Sequence, residues 1–441
     1  MDSAVLVFLM LGIAGWGVLV IRRWPTTAVF GYLAVLMFLP AWLLVPLGPL
    51  GGRPVVGLVG LGVVLGMFGL DAVRPTTFDV VLVGYSAVII VTTIVGLVDP
   101  NTLYWLLMWW VLPYLVARTL ATRTSVATVC DAVTVLIAVV VVLAVVESVN
   151  NANFFNEIFA TGDPWERLQY RGGRVRVEGA FGHSIALGAV LGMSVPMVWA
   201  SRWRPWFRVA TLAGIGVAAM LTFSRIGMLT TMLALAASFV LLRAQMPARV
   251  RWTILAVGGV VALILVPTVM QVFDDGSEEV SGSGDYRFFL LRLIPKLALF
   301  GEATSPDVQL ASIDNELLLT GIRVGILPLG LLLVCGVVGV VMAIRRPNPG
   351  LIAAAVMLPG LTSVAFITQF TAFFWFAVGL GVSGLVAEQA KAAAGNSSAE
   401  SDGVEPREPP EPPEPPEPRN TYDLLRRSDT DSSARARAPG G

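Results

Sequence analysis

The chain has 441 residues, is 56% hydrophobic and only 14% charged, and balances thirty basic against thirty acidic side chains. A water-soluble domain of this size needs more charge to cover its surface, and zero net charge argues against a nucleic-acid partner. Apolar runs of about twenty residues recur instead, which predicts an all-α polytopic membrane protein; the alternation of barrel strands is missing.

In chain order, spans are predicted near 3–21, 28–47, 55–70, 79–98, 103–120, 127–147 and 181–200. The first lacks an upstream basic region and a small-residue cleavage site, so it reads as a retained span and not a signal peptide. Cys130 and Cys335 sit in separate apolar runs and read as small buried hydrophobes, not a disulfide or a metal pair. Arg208 to Leu242 is then a 35-residue run with "TFSRIGM" at its centre. As one helix it is about 52 Å long, against a hydrocarbon core of about 30 Å. An Arg at the bilayer centre costs about 2.5–3.5 kcal/mol, so two shorter spans hinged near Ser224 and Arg225 are predicted. Further spans follow near 252–272, 318–344, 350–367 and 371–388, about 12–13 helices in a membrane domain over 1–390. From Lys391 the chain turns polar, and "EPREPPEPPEPPEPRN" has no apolar face to bury. Residues 391–441 are predicted to form an extended, disordered tail.

With the hinge in place, the loops alternate in charge. One set holds Arg22–Arg23, Arg74, Arg118 with Arg123, Arg202 with Arg204 and Arg208, Arg243 with Arg249 and Arg251, and Arg345–Arg346. The other set's short loops hold Arg53, the Asp99–Asn101 turn, Arg225 and "TQFTA". The positive-inside rule makes the first set cytoplasmic, which puts the N-terminus outside and the tail inside. The two long loops, about 148–180 and 273–317, then both lie outside.

Arg174, Arg176, Arg225 and Arg287 all fall on that outer side, close to span ends. Any one of them alone reads equally well as a side chain snorkelling to headgroups. Together they suggest a site for a strongly anionic ligand, because guanidinium forks grip phosphate bidentately and helix N-termini add to the field. A polyprenyl diphosphate carrying a glycan, a phospholipid headgroup and an exported anion all fit those charges. No Cys/His metal spacing, P-loop or Gly-rich dinucleotide turn is found, so neither a metal nor another cofactor is expected.

"RVRVEGAFGHSIALGAVL", "LTFSRIGML", "GSGDYRFFLLRLIPKLALFGEA" and "DNELLLTGIRVGILPLGLLL" occur in that order over about 170–335. In order and character they resemble the motifs of the O-antigen ligase and polymerase superfamily: an Arg before a small-Gly-x-Phe turn, a Ser-Arg at a span end, a loop Arg before a helix, and a loop exit into a Leu-rich span. The resemblance implies a GT-C-like, metal-independent glycosyltransferase of the bacterial cytoplasmic membrane. Such an enzyme moves glycan from a polyprenyl-diphosphate-linked donor to an acceptor glycan, lipid or protein, as a polysaccharide polymerase or ligase. It also implies that Arg176 and Arg225 hold the donor diphosphate, with Arg174 beside them and Arg287 assisting from the second long loop.

The acceptor hydroxyl then needs a base. Where the ligases carry His before Asn, this chain has Asp314, followed by Asn315 and Glu316, and no histidine follows His183. Asp314 or Glu316 serves as a carboxylate of raised pKa, or Asp314 merely caps the following helix. His183 in "FGHS" is the remaining candidate, although a structural or interfacial role is the stronger reading, and Glu178 is placed to pair with Arg176 or to orient it. The missing His favours a polymerase, or a transferase with another acceptor. The competing expectation is a transporter or flippase for an anionic lipid or solute; it predicts inverted repeats, and none is visible in the sequence.

Overall fold

The computed structural model describes residues 22–46, 52–67, 73–159, 167–275, 289–303 and 313–402. The predicted first span, Arg287 and the chain beyond Asp402 lie outside the described residues. The described chain is mostly helical. Its first half holds α1 Pro25–Phe38, α2 Val55–Met67, α3 Thr77–Ile94, α4 Pro100–Leu106, α5 Leu112–Arg123, α6 Val126–Asn150 and the short α7 Phe154–Ile158. Then come α8 Ser184–Ala200, α9 Pro205–Leu221, α10 Arg225–Leu241, α11 Ala248–Asp275, α12 Glu316–Val324, α13 Ile326–Arg345, α14 Pro349–Met357 and α15 Thr368–Asp402. Two antiparallel hairpins interrupt them, β1 Leu44–Pro46 with β2 Gly52–Pro54 and β3 Tyr170–Arg171 with β4 Arg174–Val175.

Among the described residues, five helical stretches are long and apolar enough to cross a membrane: Thr77–Ile94, Pro100–Arg123, Val126–Asn150, Ile326–Arg345 and Thr368–Ala394. Shorter apolar helices, among them α1, α8, α9 and α10, complete an all-α membrane architecture. Contacts divide the chain into Met1–Gln389 and Ala390–Gly441. Helix α15 runs on to Asp402, so Lys391–Asp402 is helical where composition predicted an extended tail. The stretch "AEQAKAAA" explains the extension, since Ala, Glu, Gln and Lys are strong helix formers.

The 35-residue run is two helices. Ser224 caps α10 by accepting the Gly227 N–H at 3.2 Å, and Phe223, at φ 45°, turns the chain back in the left-handed region. The run predicted as one span over 318–344 is instead broken at Gly325. This glycine has φ +98°, and a Cβ there would lie 2.7 Å from Leu299 O, so the close approach of the 299–300 backbone sets the break. Between α4 and α5 the chain makes a π turn, Leu107–Val111, in which the Leu112 N–H reaches back to Leu107 O. Pro113 has no N–H to continue the regular ladder, and the wider turn absorbs that loss.

Helix α8 is buried on nearly every side, whereas α13 buries only Pro328 and Ala343. A helix that is apolar all round belongs either inside a bundle or against lipid. Helix α8 takes the first place and α13 the second. The partner of α8 is α10. A Cβ on Gly188 would lie 2.8 Å from Gly227 Cα, and one on Gly192 would lie 2.8 Å from Thr230 Cγ2. Contacts that advance along both helices in the same direction mean the two run parallel, held by a small-xxx-small face. Both N-termini therefore open at the same end of the bundle, here called the hinge end.

The opposite end is pinned by two buried arginines, one of them in an ion pair. Arg118 pairs with Asp79 at 2.9 Å, donates to Arg74 O at 2.8 Å, and Tyr114 donates to the same carboxylate at 2.7 Å. Arg118 also reaches Ser383 Oγ on α15 at 3.3 Å, so one guanidinium ties α3, α5 and α15 together. Arg118 is thus no solvated loop cation, as the topology argument had treated it. Arg208 is buried as well and donates to Gln245 O at 3.1 Å and to Trp199 O.

Candidate functional site

At the hinge end, the turn Gly179–Phe181 enters α8 and is gripped by three buried polar side chains from elsewhere. Glu147, near the end of α6, accepts the Glu178 N–H and the Gly179 N–H, one on each oxygen, both at 2.9 Å. Asn153 donates to Gly179 O at 2.9 Å, and Gln369 donates to Ala180 O at 3.0 Å and Leu39 O at 2.7 Å. Backbone groups of a buried irregular turn must be satisfied by protein, and these side chains do that. Sequence reasoning missed all three. Their signal was present, since Glu147 and Gln369 are lone polar residues at the ends of apolar runs, and such residues are functional candidates by default.

The arginines of the first long loop meet the hinge. The β3–β4 hairpin lies over Thr222–Phe223: Arg171 donates to Phe223 O at 2.9 Å and Arg176 Nε to Thr222 O at 3.1 Å. The backbone follows, with Val177 N–H on Leu221 O at 3.3 Å. Arg174 is exposed and lines a cavity of about 300 Å³ with Asn151, Met220 and Phe223. Arg225, also exposed, opens α10. The structure thus brings Arg174, Arg176 and Arg225 to one hinge, with Arg171 added; Arg287 lies outside the described residues.

Glu178 and His183 sit behind these cations. Glu178 is wholly buried; Oε1 accepts the Gln169 N–H at 2.8 Å, and Oε2 has no hydrogen-bond partner. Burial pushes its pKa up to about 8, helped by the neighbouring Glu147 and opposed by the Gln169 bond and the Arg176 charge. The Arg176 N–H donates to Gln169 O at 2.9 Å, so Glu178 positions the hairpin through Gln169 more than through an ion pair. His183 caps α8: its Nδ1 accepts the Ile185 N–H at 3.1 Å. Burial and then the Arg176 charge lower its pKa to about 4, so at neutral pH it is uncharged with its proton on Nε2. In that form its one accepting nitrogen, Nδ1, is already engaged by the Ile185 N–H.

From Arg225 an apolar groove of about 610 Å³ runs between α9, α10 and α11. Met220, Met228 and Met270 line it near the hinge, and Phe239, Trp199 and Ile254 near the other end. Arg225 to Phe239 is about 21 Å along the helix at 1.5 Å per residue, most of a bilayer's hydrocarbon depth. The groove therefore joins hydrocarbon-like walls to Arg225 at the α10 N-terminus, and it shares Met220 and Val269 with the cavity that Arg174 lines. That end favours a bound anion.

The second group lies on α12. Asn315, not Asp314, is the N-cap, accepting the Leu318 N–H at 3.0 Å, while Asp314 is exposed. The capping role considered for Asp314 therefore belongs to its neighbour. Asn315 also donates to Thr362 O at 2.8 Å. Glu316 is buried, with Thr320 Oγ1 on one oxygen at 3.0 Å and the Phe366 N–H on the other at 2.6 Å. Burial raises its pKa to about 7, against the lowering effect of those bonds and of Arg323. The segment Leu358–Phe366 links the two groups: it holds Asn315 and Glu316 and also presses on α10, where a Cβ on Gly360 would lie 3.2 Å from Ile226.

No family model, curated protein or solved structure matches the chain.

Proposed function

We propose that the protein transfers a glycan from a polyprenyl-diphosphate carrier to an acceptor hydroxyl at the hinge end, on the outer face of a bacterial cytoplasmic membrane, as a GT-C-like polymerase or ligase. The observation that carries this reading is the groove that ends at Arg225. A membrane-depth apolar channel accepts an isoprenoid chain, and its cationic head accepts the diphosphate. An anion without a long hydrocarbon tail has no use for the groove. The outward placement of the hinge end follows from the arginine bias of the opposite loops.

The chemistry asks little of the protein. The acceptor O–H gives its proton to a base, its oxygen bonds to the sugar C1, and the C1–O bond to the diphosphate breaks with the electron pair leaving on oxygen. Arg225 and Arg174 stabilise the charge that grows on the diphosphate, and the α10 N-terminus adds to the field. Arg176 holds the hinge that positions them. Of the three base candidates, Glu316 fits best, since a carboxylate with a pKa of about 7 is half ionised at working pH. His183 is the weakest of the three, because a ring of pKa about 4 with Nδ1 already committed is a poor base. The site residues described need neither metal nor other cofactor for these steps.

The test uses the purified protein in lipid vesicles with a labelled polyprenyl-diphosphate oligosaccharide, following lipid release and product size. A ladder of longer lipid-linked glycans means polymerase, and single transfer to an added acceptor means ligase. Movement of label across the bilayer with the diphosphate bond intact would replace this reading with transport.

A further inference from the structure

The end of the bundle opposite the hinge has a pocket of its own. Helix α8 stops at Ala200 and α9 starts at Pro205, and the loop between them lies against Asp131 near the start of α6. The Asp131 carboxylate accepts the Arg202 N–H at 2.6 Å on one oxygen and Arg202 Nε at 2.7 Å on the other. Trp203 Nε1 donates to Asp131 O at 3.0 Å. One aspartate thus fixes the loop backbone, a guanidinium and an indole together. Trp203 meets Phe207 edge-on at 5.5 Å, and Trp206 meets the same ring at 5.7 Å. Between these rings, Asp131 and the side chains of Arg202 and Arg204 lies a cavity of about 650 Å³.

The charges lining that cavity do not balance. Two guanidiniums face one carboxylate, and Arg202 already holds it. Arg204 is exposed, and among the described residues its guanidinium has no partner. Trp206 is 65% exposed. An indole left open at the end of an apolar helix suits the headgroup layer, where its apolar body and polar edge are both accommodated.

An apolar track leads from the pocket along α6. Asp131, Val135, Ala138 and Val142 follow one another at spacings of four, three and four, which puts them on one face of the helix. Val142 is 60% exposed, and Val149, further along the same face, 74%. From Asp131 to Val142 is about 16 Å at 1.5 Å per residue, half of a hydrocarbon core of about 30 Å and so the depth of one leaflet. Helix α9 closes on α6 beside this track, since a Cβ on Gly214 would lie 2.6 Å from Val141 Cγ1.

We infer that this corner of α6 and α9 binds an anionic phospholipid of the cytoplasmic leaflet, with its phosphodiester on Arg204 and Arg202, its glycerol against the three rings and an acyl chain along the Val135–Val142 face. A soluble anion has no use for the track. A zwitterionic lipid brings a cation of its own to a pocket that already has a positive charge to spare. The site is separate from the Arg225 groove: it lies at the other end of the bundle and between α6 and α9, where the groove lies between α9, α10 and α11. The inference stands whether or not the protein transfers glycans.

The test is photolabelling of the full-length protein in phosphatidylcholine vesicles with diazirine-tagged phosphatidylglycerol, and in parallel with tagged phosphatidylcholine. Phosphatidylglycerol is expected to label peptides from the start of α6 and from the 201–207 loop, saturably and several-fold more than phosphatidylcholine does. Arg204→Ala should weaken that labelling about tenfold, the loss of a hydrogen bond or two to an ionised group. Arg204→Lys keeps the charge and should restore most of it. Both variants should unfold at the wild-type temperature in lipid-free detergent, because the side chain is exposed and unpartnered. Equal labelling by the two lipids, or phosphatidylglycerol labelling untouched by Arg204→Ala, overturns the inference. Displacement by glycerol 3-phosphate as effective as by untagged phosphatidylglycerol overturns it too, since the pocket would then serve a soluble anion.

Discussion

The Arg225 groove and the Glu316 cavity have similar walls and opposite heads. Both are apolar troughs between helices, and both reach the hinge end. One ends at Arg225 and the α10 N-terminus; the other, a cavity of about 420 Å³ along α13, ends at the buried carboxylate of Glu316. The walls are what any lipid-facing helix pair supplies. The heads are not, because each places an ionisable group where apolar atoms cost nothing. The contrast teaches that hydrocarbon walls recruit a lipid while the polar head selects which one, and for a transferase the two heads divide leaving group from nucleophile.

The strongest way to break that division is at the cations. Arg225→Ala should lower transfer by about 10²–10³-fold, the usual effect of removing one donor to a developing charge. Circular dichroism and membrane insertion should stay unchanged, since Arg225 is exposed. Full activity in this variant would remove Arg225 from the donor site. At the other head, Glu316→Gln should lower turnover by about 10²-fold with little change in donor affinity. Wild-type turnover should rise as pH passes about 7, because only the ionised carboxylate accepts a proton, and the variant's profile should be flat there. A variant that keeps the rise through pH 7 would move the base elsewhere.

Two further changes sharpen the comparison. A Leu at Gly192 meets Thr230 Cγ2 and the Thr231 backbone within 3 Å, which wedges α8 from α10. Overpacking of this kind costs about 1–3 kcal/mol, so Gly192→Leu should lower the unfolding temperature and weaken donor binding, while the pH dependence set by Glu316 persists. Equal damage at both heads would mean they share one rigid support. Asp314→Asn should change turnover by less than about threefold, because an exposed side chain beside the true cap makes no charge contact that a neutral isostere would lose. A larger loss would return Asp314 to the list of bases.

How far the fold could be read in advance depended on the range of the forces involved. The hinge at Ser224–Arg225 was legible because length and a charge at mid-span are local facts, and so was the cap-forming character of Asp314–Asn315. Which of the two caps was not, since both are good caps and the choice lies in how α12 meets Thr362. The break at Gly325 was equally hidden, because it comes from the Leu299–Phe300 backbone and not from its own neighbours. Glu147 sits 32 residues before the turn it grips, and only the fold brings them together. The arginine cluster was visible as a set, but its division of labour was not: Arg171 and Arg176 brace hinge carbonyls, while Arg174 and Arg225 face outward.

The smallest expected effect separates two readings of Glu178 beside those arginines. As a partner of Arg176 it would be ionised and would stabilise the fold at high pH. Its surroundings say otherwise: it is fully buried, one oxygen lacks a partner, and burial raises its pKa from 4.5 to about 8. A raised carboxyl pKa means the folded state keeps a proton that the unfolded state has released. Stability contributed by that group is therefore complete below pH 4.5 and falls as pH rises toward 8. Glu178→Gln carries no titrating proton and can still accept the Gln169 N–H. The unfolding temperature of the wild type should drop more than that of the variant between pH 5 and 8, with the variant equal or better at pH 8. The opposite order at pH 8 would mean that Glu178 is ionised in the folded state, and that its tie to Arg176, not its tie to Gln169, orients the cationic head.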